Sequence, residues 1–186
     1  MKFESITMEN FMRYKGRNHI EFSCDDVKNV TVVLGDNTVG KTTIAQAFRW
    51  GLYGALMANG TKSAGDFQLL NTDILEMMDA NSRAKVKVEI AAVDEEKRYI
   101  ITRETTYTRA FPKLESREFQ KKCAMRITEL EDMESYVEVD SNEIETLINE
   151  LFPKNLSHYF LFDGERWNDV SVGCLLYTSP SPRDRG

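Results

Sequence analysis

The stretch GDNTVGKTT at residues 35–43 constrains the fold more than any other feature of this sequence. It fits the pattern G-x-x-x-x-G-K-[ST], in which glycines let the backbone curl until successive N–H groups point at phosphate oxygens. A helix that follows such a loop directs its N-terminal dipole and its free N–H groups at the same anion. The sequence therefore predicts a phosphate-binding loop between a strand and a helix.

The residues on either side of the loop have the patterns of these two elements. Residues 30–34 form a short apolar run rich in β-branched side chains, which predicts a strand buried on both faces. Apolar side chains then recur at helical spacing from Ile44 to Leu52. Gly51 and Gly54 are predicted to weaken and end that helix. These flanks support the loop assignment, because a chance match to the pattern would lack them.

The chemistry of the loop predicts ATP and Mg²⁺ as cofactors. Lys41 would place a positive charge beside the β- and γ-phosphates, and the Thr42 hydroxyl would bind the metal ion. Lys41 is therefore a predicted catalytic residue and Thr42 a predicted metal ligand. The predicted nucleotide-binding residues of the loop are Gly35, Asp36, Asn37, Thr38, Val39, Gly40, Lys41, Thr42 and Thr43.

Alternating apolar and polar residues predict several strands outside the loop. These strands lie near residues 6–8, 20–22, 86–90, 99–107, 125–130 and 136–139. The middle of the chain is therefore predicted to be a β-meander, with a charged turn at residues 94–97.

The remaining segments predict one excursion and one helix. Small and polar residues at 55–83 predict a surface excursion that contains a short apolar patch at 69–75. Residues 144–152 carry a continuous apolar stripe, which predicts a helix ended by Pro153. Its predicted N-cap oxygens belong to Asp140, Ser141 and Asn142.

Composition narrows the classes of function. The three cysteines among 186 residues are widely spaced and form no CxxC pair, which argues against a disulfide framework or a zinc site and predicts a cytoplasmic protein. The formal net charge of −6 has the wrong sign for a surface that grips DNA by itself. No apolar stretch is long enough for a membrane helix, so no membrane partner is predicted.

With these motifs placed, the sequence resembles the N-terminal half of the ATPase head of SMC-like DNA-repair ATPases, the SbcC and RecF relatives. Within that group it is most similar to the DndD-type DNA sulfur-modification proteins. The resemblance is carried by the opening strand through Asn10 and Phe11, the loop at 35–43, the helix end at 52–54, and the run LFPKNLSHYFLFDGE at 151–165.

The resemblance implies an α/β P-loop NTPase fold, an ABC-type half-head with a mixed sheet and a β-meander. In this family a long antiparallel coiled coil divides the head, and the C-terminal half supplies the signature motif and the Walker B acid. The implied partners are ATP, a second head in a homodimer, and DNA bound through the full-length protein in repair, modification or restriction-type defence. We therefore expect residues 1–173 to form the N-terminal lobe and to be inactive without the other half.

Three residues outside or within the loop take their significance from the family pattern. Relatives usually have glycine in place of Thr38, and a β-branched residue tolerates positive φ badly. Asp163 stands where many relatives carry a Q-loop glutamine. It is interpreted as a catalytic residue that touches Mg²⁺ or the attacking water, as a Walker B acid after an apolar strand, or as part of an Asp-Gly turn. Arg13 matches a basic position near the nucleotide, and it also fits a solvated loop arginine.

The end of the chain and two rival functions complete the sequence-based expectations. Residues 174–186, CLLYTSPSPRDRG, have no periodicity and resemble a translated sequencing adapter, although a flexible tail is the simpler alternative. One rival function is a self-contained P-loop kinase or GTPase, which would need its own base, Walker B acid and lid. The other is an ATP-sensing binding module without turnover.

Overall fold

The computed structural model describes residues 1–36, 40–56, 68–110, 115–157 and 161. These residues build a six-stranded sheet in the order β2-β1-β3-β4-β5-β6, with every pair antiparallel. The strands are β1 Lys2–Phe11, β2 Tyr14–Glu21, β3 Arg83–Val93, β4 Lys97–Ala110, β5 Glu115–Glu129 and β6 Val137–Glu138. The predicted meander is thus confirmed as β3-β4-β5, and its strands are longer than the sequence pattern indicates.

One face of the sheet forms the core, as the alternation in the sequence predicts. Val86, Val88 and Ile90 on β3 are all fully buried, and so are Ile6 and Met8 on β1. The opposite face carries charged pairs. One example is the pair between Lys85 Nζ and Glu104 Oε2, which are 3.3 Å apart. The period-2 pattern therefore assigns both faces of these strands correctly.

The helices are α1 Lys41–Tyr53, α2 Thr72–Met77 and α3 Ile144–Leu151, followed by a 3-10 turn at Lys154–Leu156. α1 ends as predicted at Gly54, whose φ of 64° is left-handed and whose N–H donates to the Trp50 carbonyl at 2.8 Å. Gly51, in contrast, lies inside the helix. A Cβ there would stand 2.6 Å from Ile90 Cδ1, so glycine allows α1 to approach β3 closely.

The predicted buried strand at residues 30–34 is wrong for the described structure. This segment is irregular, and Val30, Val32 and Leu34 are 76%, 70% and 87% exposed. A strand needs a hydrogen-bonding neighbour, and residues 30–34 pair with no strand of the described sheet. The family resemblance implies a mixed sheet, and the strand pairs among the described residues are all antiparallel.

Of two other local predictions, one agrees with the structure where it is described and one needs correction. Leu69, Leu70 and Leu75 are buried, as the predicted apolar patch requires, while residues 72–73, 76–77 and 79–81 are exposed. The N-cap of α3 is Glu143 without a side-chain bond. The Asp140 carboxylate instead accepts from the Asn142 N–H at 2.9 Å, which forms a separate turn before the helix.

Candidate phosphate-binding site

The candidate site lies at the N-terminus of α1, where Gly40 precedes the first helical residue, Lys41. Gly40 has φ 109° and ψ 17°, a left-handed conformation that glycine adopts without steric cost. Its carbonyl oxygen accepts the N–H of Ile44 at 3.3 Å, which closes the first helical turn. The N–H groups of the preceding residues in that turn have no intrahelical acceptor, as at any helix start, and they point away from the helix toward the loop.

Lys41 folds back over the loop that precedes it. Its ammonium donates to the Asp36 carbonyl at 3.0 Å and to the Gly35 carbonyl as well. These contacts bring the beginning and the end of the loop together around one exposed positive charge. A phosphate group could replace these carbonyls, because an anionic oxygen forms a stronger bond with an ammonium group than a neutral carbonyl does.

The two threonines after Lys41 have different environments. Thr42 is exposed at the mouth of the site, whereas Thr43 is 6% exposed and packs into the domain. Thr42 therefore has the accessible hydroxyl that a metal ligand requires. Asn37, Thr38 and Val39 lie outside the described residues. The expected backbone strain at Thr38 therefore stays a prediction.

The tip of the β1-β2 hairpin forms one wall of the site. The Cβ of Arg13 lies 3.5 Å from the position that a Cβ on Gly40 would take, and the Arg13 side chain is exposed. Tyr14 donates its hydroxyl to the Gly40 carbonyl at 3.3 Å. Sequence reasoning missed Tyr14 because it begins a strand and belongs to no phosphate motif.

The hairpin tip is held from its other side by the segment before α2. The Met12 N–H donates to the Leu69 carbonyl at 2.6 Å, and the Asn71 side-chain amide donates to the Met12 carbonyl at 2.7 Å. The Asn71 side-chain oxygen also accepts the N–H groups of Asp73 and Ile74, which caps α2. Leu69 and Asn71, near the end of the 55–83 segment, therefore support the hairpin wall of the site.

Asp163 lies outside the described residues, but the chain just before it is anchored. Leu161 is 7% exposed, and its carbonyl oxygen accepts from Arg49 Nη2 at 2.8 Å. Arg49 belongs to α1, the helix that begins at Lys41. Leu161, two residues before Asp163 in the sequence, is thus attached to the helix that follows the phosphate loop.

Two kinds of feature are absent from the described residues. No group of three or more His, Cys, Asp or Glu side chains there is arranged to hold a metal ion. Among the helices of the described residues, none has the length and apolar character needed to cross a membrane.

Comparison with known proteins supports the fold class. The sequence profile of the AAA domain family matches residues 5–171, which confirms the α/β P-loop class predicted from the sequence. No curated protein matches the chain. One similar solved structure comes from work on ATP-driven dimerization and DNA-stimulated activation of SMC ATPases. The two chains share 14% sequence identity. The match covers 97% of the present chain and 93% of the solved one, with a TM-score of 0.48.

Proposed function

Since this chain belongs to the AAA domain family, we propose that it binds ATP and Mg²⁺ as the N-terminal lobe of an SMC-like ATPase. The observation that carries the proposal is the Lys41 ammonium, which bridges the Gly35 and Asp36 carbonyls directly before α1. This arrangement gathers a positive charge and the helix N-terminus around one loop. That combination recognises a chain of phosphates rather than a nucleobase.

The proposed binding mode divides the work between three groups. The N–H groups at the start of α1 bind the phosphate oxygens, Lys41 neutralises the β- and γ-phosphates, and Thr42 binds the Mg²⁺ that these phosphates share. Arg13, exposed beside Gly40, is proposed to reach the nucleotide from the hairpin tip. None of these groups is a general base, so binding and not turnover is the activity proposed for this chain alone.

Hydrolysis is proposed to need a second lobe and a head dimer. The segment at 27–34 supports this proposal, because Val27, Val30, Val32 and Leu34 are each at least 70% exposed. An exposed apolar run of this kind marks a surface that another protein element covers. We propose that a C-terminal lobe covers it and also brings the signature motif and the Walker B acid that the family resemblance implies.

The biological setting is proposed from the resemblance alone. A DndD-type relative would act on DNA in modification, repair or restriction-type defence in the cytoplasm, with DNA bound by the full-length protein. Residues 1–173 are proposed to be the native lobe, and residues 174–186 to be adapter-derived sequence without a functional role.

A magnesium-dependence experiment tests the binding proposal. Isothermal titration calorimetry would measure the ATP dissociation constant with Mg²⁺ and with EDTA for the wild type and for Thr42→Ala. We expect Mg²⁺ to tighten ATP binding by the wild type, and Thr42→Ala to lose most of that gain while its affinity in EDTA is unchanged. Thr106→Ala, on β4, is the control and should behave as the wild type. Undetectable ATP binding by the wild type would refute the proposal.

Asp163 is proposed to act in turnover and not in binding. It follows Leu161 by two residues, which span at most about 7 Å, and Leu161 is anchored to α1. In a protein that contains both lobes, Asp163→Asn should lower kcat at least about 10-fold and leave the dissociation constant of ATP unchanged. An equal loss of binding would contradict this role. Turnover of about 1 s⁻¹ by the present chain alone would favour a kinase or GTPase instead.

A further inference from the structure

The Gly40 carbonyl oxygen accepts two hydrogen bonds in this structure. One comes from the N–H of Ile44 within α1, at 3.3 Å. The other comes from the Tyr14 hydroxyl at the tip of the β1-β2 hairpin, also at 3.3 Å. The same peptide unit carries the Lys41 N–H, which points the opposite way because C=O and N–H are antiparallel in a trans peptide. Fixing the carbonyl therefore fixes the direction of a phosphate-binding N–H group.

This peptide needs such a constraint more than its neighbours do. Glycine occupies left-handed and right-handed regions with similar ease, so the Gly40–Lys41 peptide can rotate at little steric cost. A rotated peptide would turn the carbonyl oxygen toward the phosphate and the Lys41 N–H away from it. The result would be repulsion in place of a hydrogen bond.

We propose that Tyr14 is a positioning residue of the phosphate loop, whose hydroxyl locks the Gly40–Lys41 peptide with its N–H directed at the bound phosphates. The inference rests on the proposed function, because it assumes that phosphates bind at this loop. It adds a residue from outside the phosphate motif and assigns its effect to a single peptide bond.

The surroundings of Tyr14 suit a fixed donor. The aromatic ring lies against Gly40, with Cε2 3.4 Å from the position that a Cβ on Gly40 would take. A tyrosine hydroxyl is protonated at neutral pH and can donate, and burial raises the pKa of the Tyr14 hydroxyl further above its ordinary value.

The hairpin tip that carries Tyr14 is itself held in place. Asn71 binds the Met12 carbonyl through its side chain, at 2.7 Å, and the Asn10 carbonyl through its backbone N–H, at 2.9 Å. Phe11 forms a bridge with Leu70 in the same segment. These contacts fix the position from which the Tyr14 hydroxyl reaches the loop.

The chain offers a matched control at the other end of the same helix. Tyr53, the last residue of α1, donates its hydroxyl to the Phe152 carbonyl at 3.1 Å. Tyr14→Phe and Tyr53→Phe thus each remove one hydrogen bond from a tyrosine to a backbone carbonyl. Only Tyr14→Phe removes the bond from the peptide that faces the phosphates.

The test measures the dissociation constants of ADP and of inorganic triphosphate by calorimetry, together with the free energy of unfolding in urea. Both variants should lose a similar small amount of stability. Tyr14→Phe should raise both dissociation constants by about 2- to 10-fold, the range expected from one net hydrogen bond, and Tyr53→Phe should leave them unchanged. An equal change in ADP and triphosphate affinity would place the effect at the phosphates and not at the base.

Two results would overturn the inference, and they differ from each other. If the wild type binds both ligands and Tyr14→Phe binds them equally well, the lock is wrong while the proposed function stands. A weakening confined to ADP would have the same meaning, because it would place Tyr14 at the nucleoside. If the wild type binds neither ligand, the proposed function fails and the inference fails with it.

Discussion

Two segments lead into the candidate site, and they differ in where their contacts come from. The hairpin tip at residues 12–14 bonds to Leu69 and Asn71 on one side and to Gly40 on the other. The segment at 27–34 also precedes the loop, but its apolar side chains are largely exposed. The chain therefore completes one wall of the site from its own residues, and it leaves the apolar side chains at 27–34 without cover in the described structure.

This difference separates two tasks that a phosphate site has to perform. Holding the phosphate-facing backbone in one conformation requires only local hydrogen bonds, and the hairpin tip supplies them. Burying an apolar strand requires a neighbouring strand and a covering layer, which the described sheet does not offer to residues 27–34. Under the proposed function, ATP binding would then depend on residues of this chain, and turnover on the lobe proposed to cover residues 27–34.

The largest effect expected from this comparison concerns two aliphatic residues of similar size. Ile90 is fully buried on β3, and Leu34 is 87% exposed before the loop. Ile90→Ala should lower the free energy of unfolding by about 2–5 kcal/mol, because it leaves a cavity beneath α1. Leu34→Ala should change it by no more than about 0.5 kcal/mol. Urea denaturation of both variants measures the difference.

The comparison would break if Leu34→Ala were as destabilising as Ile90→Ala. Such a result would mean that residues 27–34 are buried within this chain in solution. The urea m-value serves as the control, since an unchanged m-value shows that both variants unfold from equally compact states.

A smaller effect should appear in acid, at the turn that begins the exposed segment. The Asp25 carboxylate accepts the N–H groups of Lys28 and Val27, at 2.6 and 2.8 Å, and these bonds lower its pKa below the ordinary 3.8. A carboxyl whose pKa is lower in the folded state stabilises that state above the unfolded pKa. This contribution is lost as the pH falls through the folded pKa. Asp25→Asn should therefore be slightly less stable than the wild type at neutral pH, and the difference should shrink below about pH 3.8.

Urea midpoints at several pH values check this expectation. A difference between Asp25→Asn and the wild type that stays constant from neutral pH to about pH 3 would contradict it. The turn would then owe nothing to the charge of the carboxylate, and the segment would lack even this local support.

The elements that the sequence predicts well are those whose signal is local. The helix after the loop and the strand around Val88 lie where the sequence predicts them, although β3 extends beyond the predicted residues 86–90 at both ends. Spacing alone determines which side chains these elements bury. The phosphate pattern also gave the position of Lys41 at the first residue of α1. In these cases the residues carry the information within one turn or one strand.

The features that the sequence could not predict depend on contacts between distant residues. Tyr14 and Asn71 take their roles from packing beside Gly40 and Met12, which no periodicity reveals. The run at 30–34 was wrongly predicted to be a buried strand, because the prediction used only its local apolar pattern. Its apolar composition is typical of a buried segment, but a local pattern does not show which other part of a protein would cover it. Asp163 and Arg13 stay predictions, since their roles require a bound nucleotide.

The most direct test of the account is the affinity of Lys41→Ala for ATP in the presence of Mg²⁺. Lys41 is the cation that closes the loop onto the Gly35 and Asp36 carbonyls. Calorimetry on the wild type, on Lys41→Ala and on Lys97→Ala, whose lysine pairs with Glu129 far along the meander, isolates that charge. The account predicts that Lys41→Ala weakens ATP binding by about 100-fold or abolishes it, while Lys97→Ala binds as the wild type does. Undiminished ATP affinity in Lys41→Ala would contradict the assignment of residues 35–43 as the phosphate-binding loop.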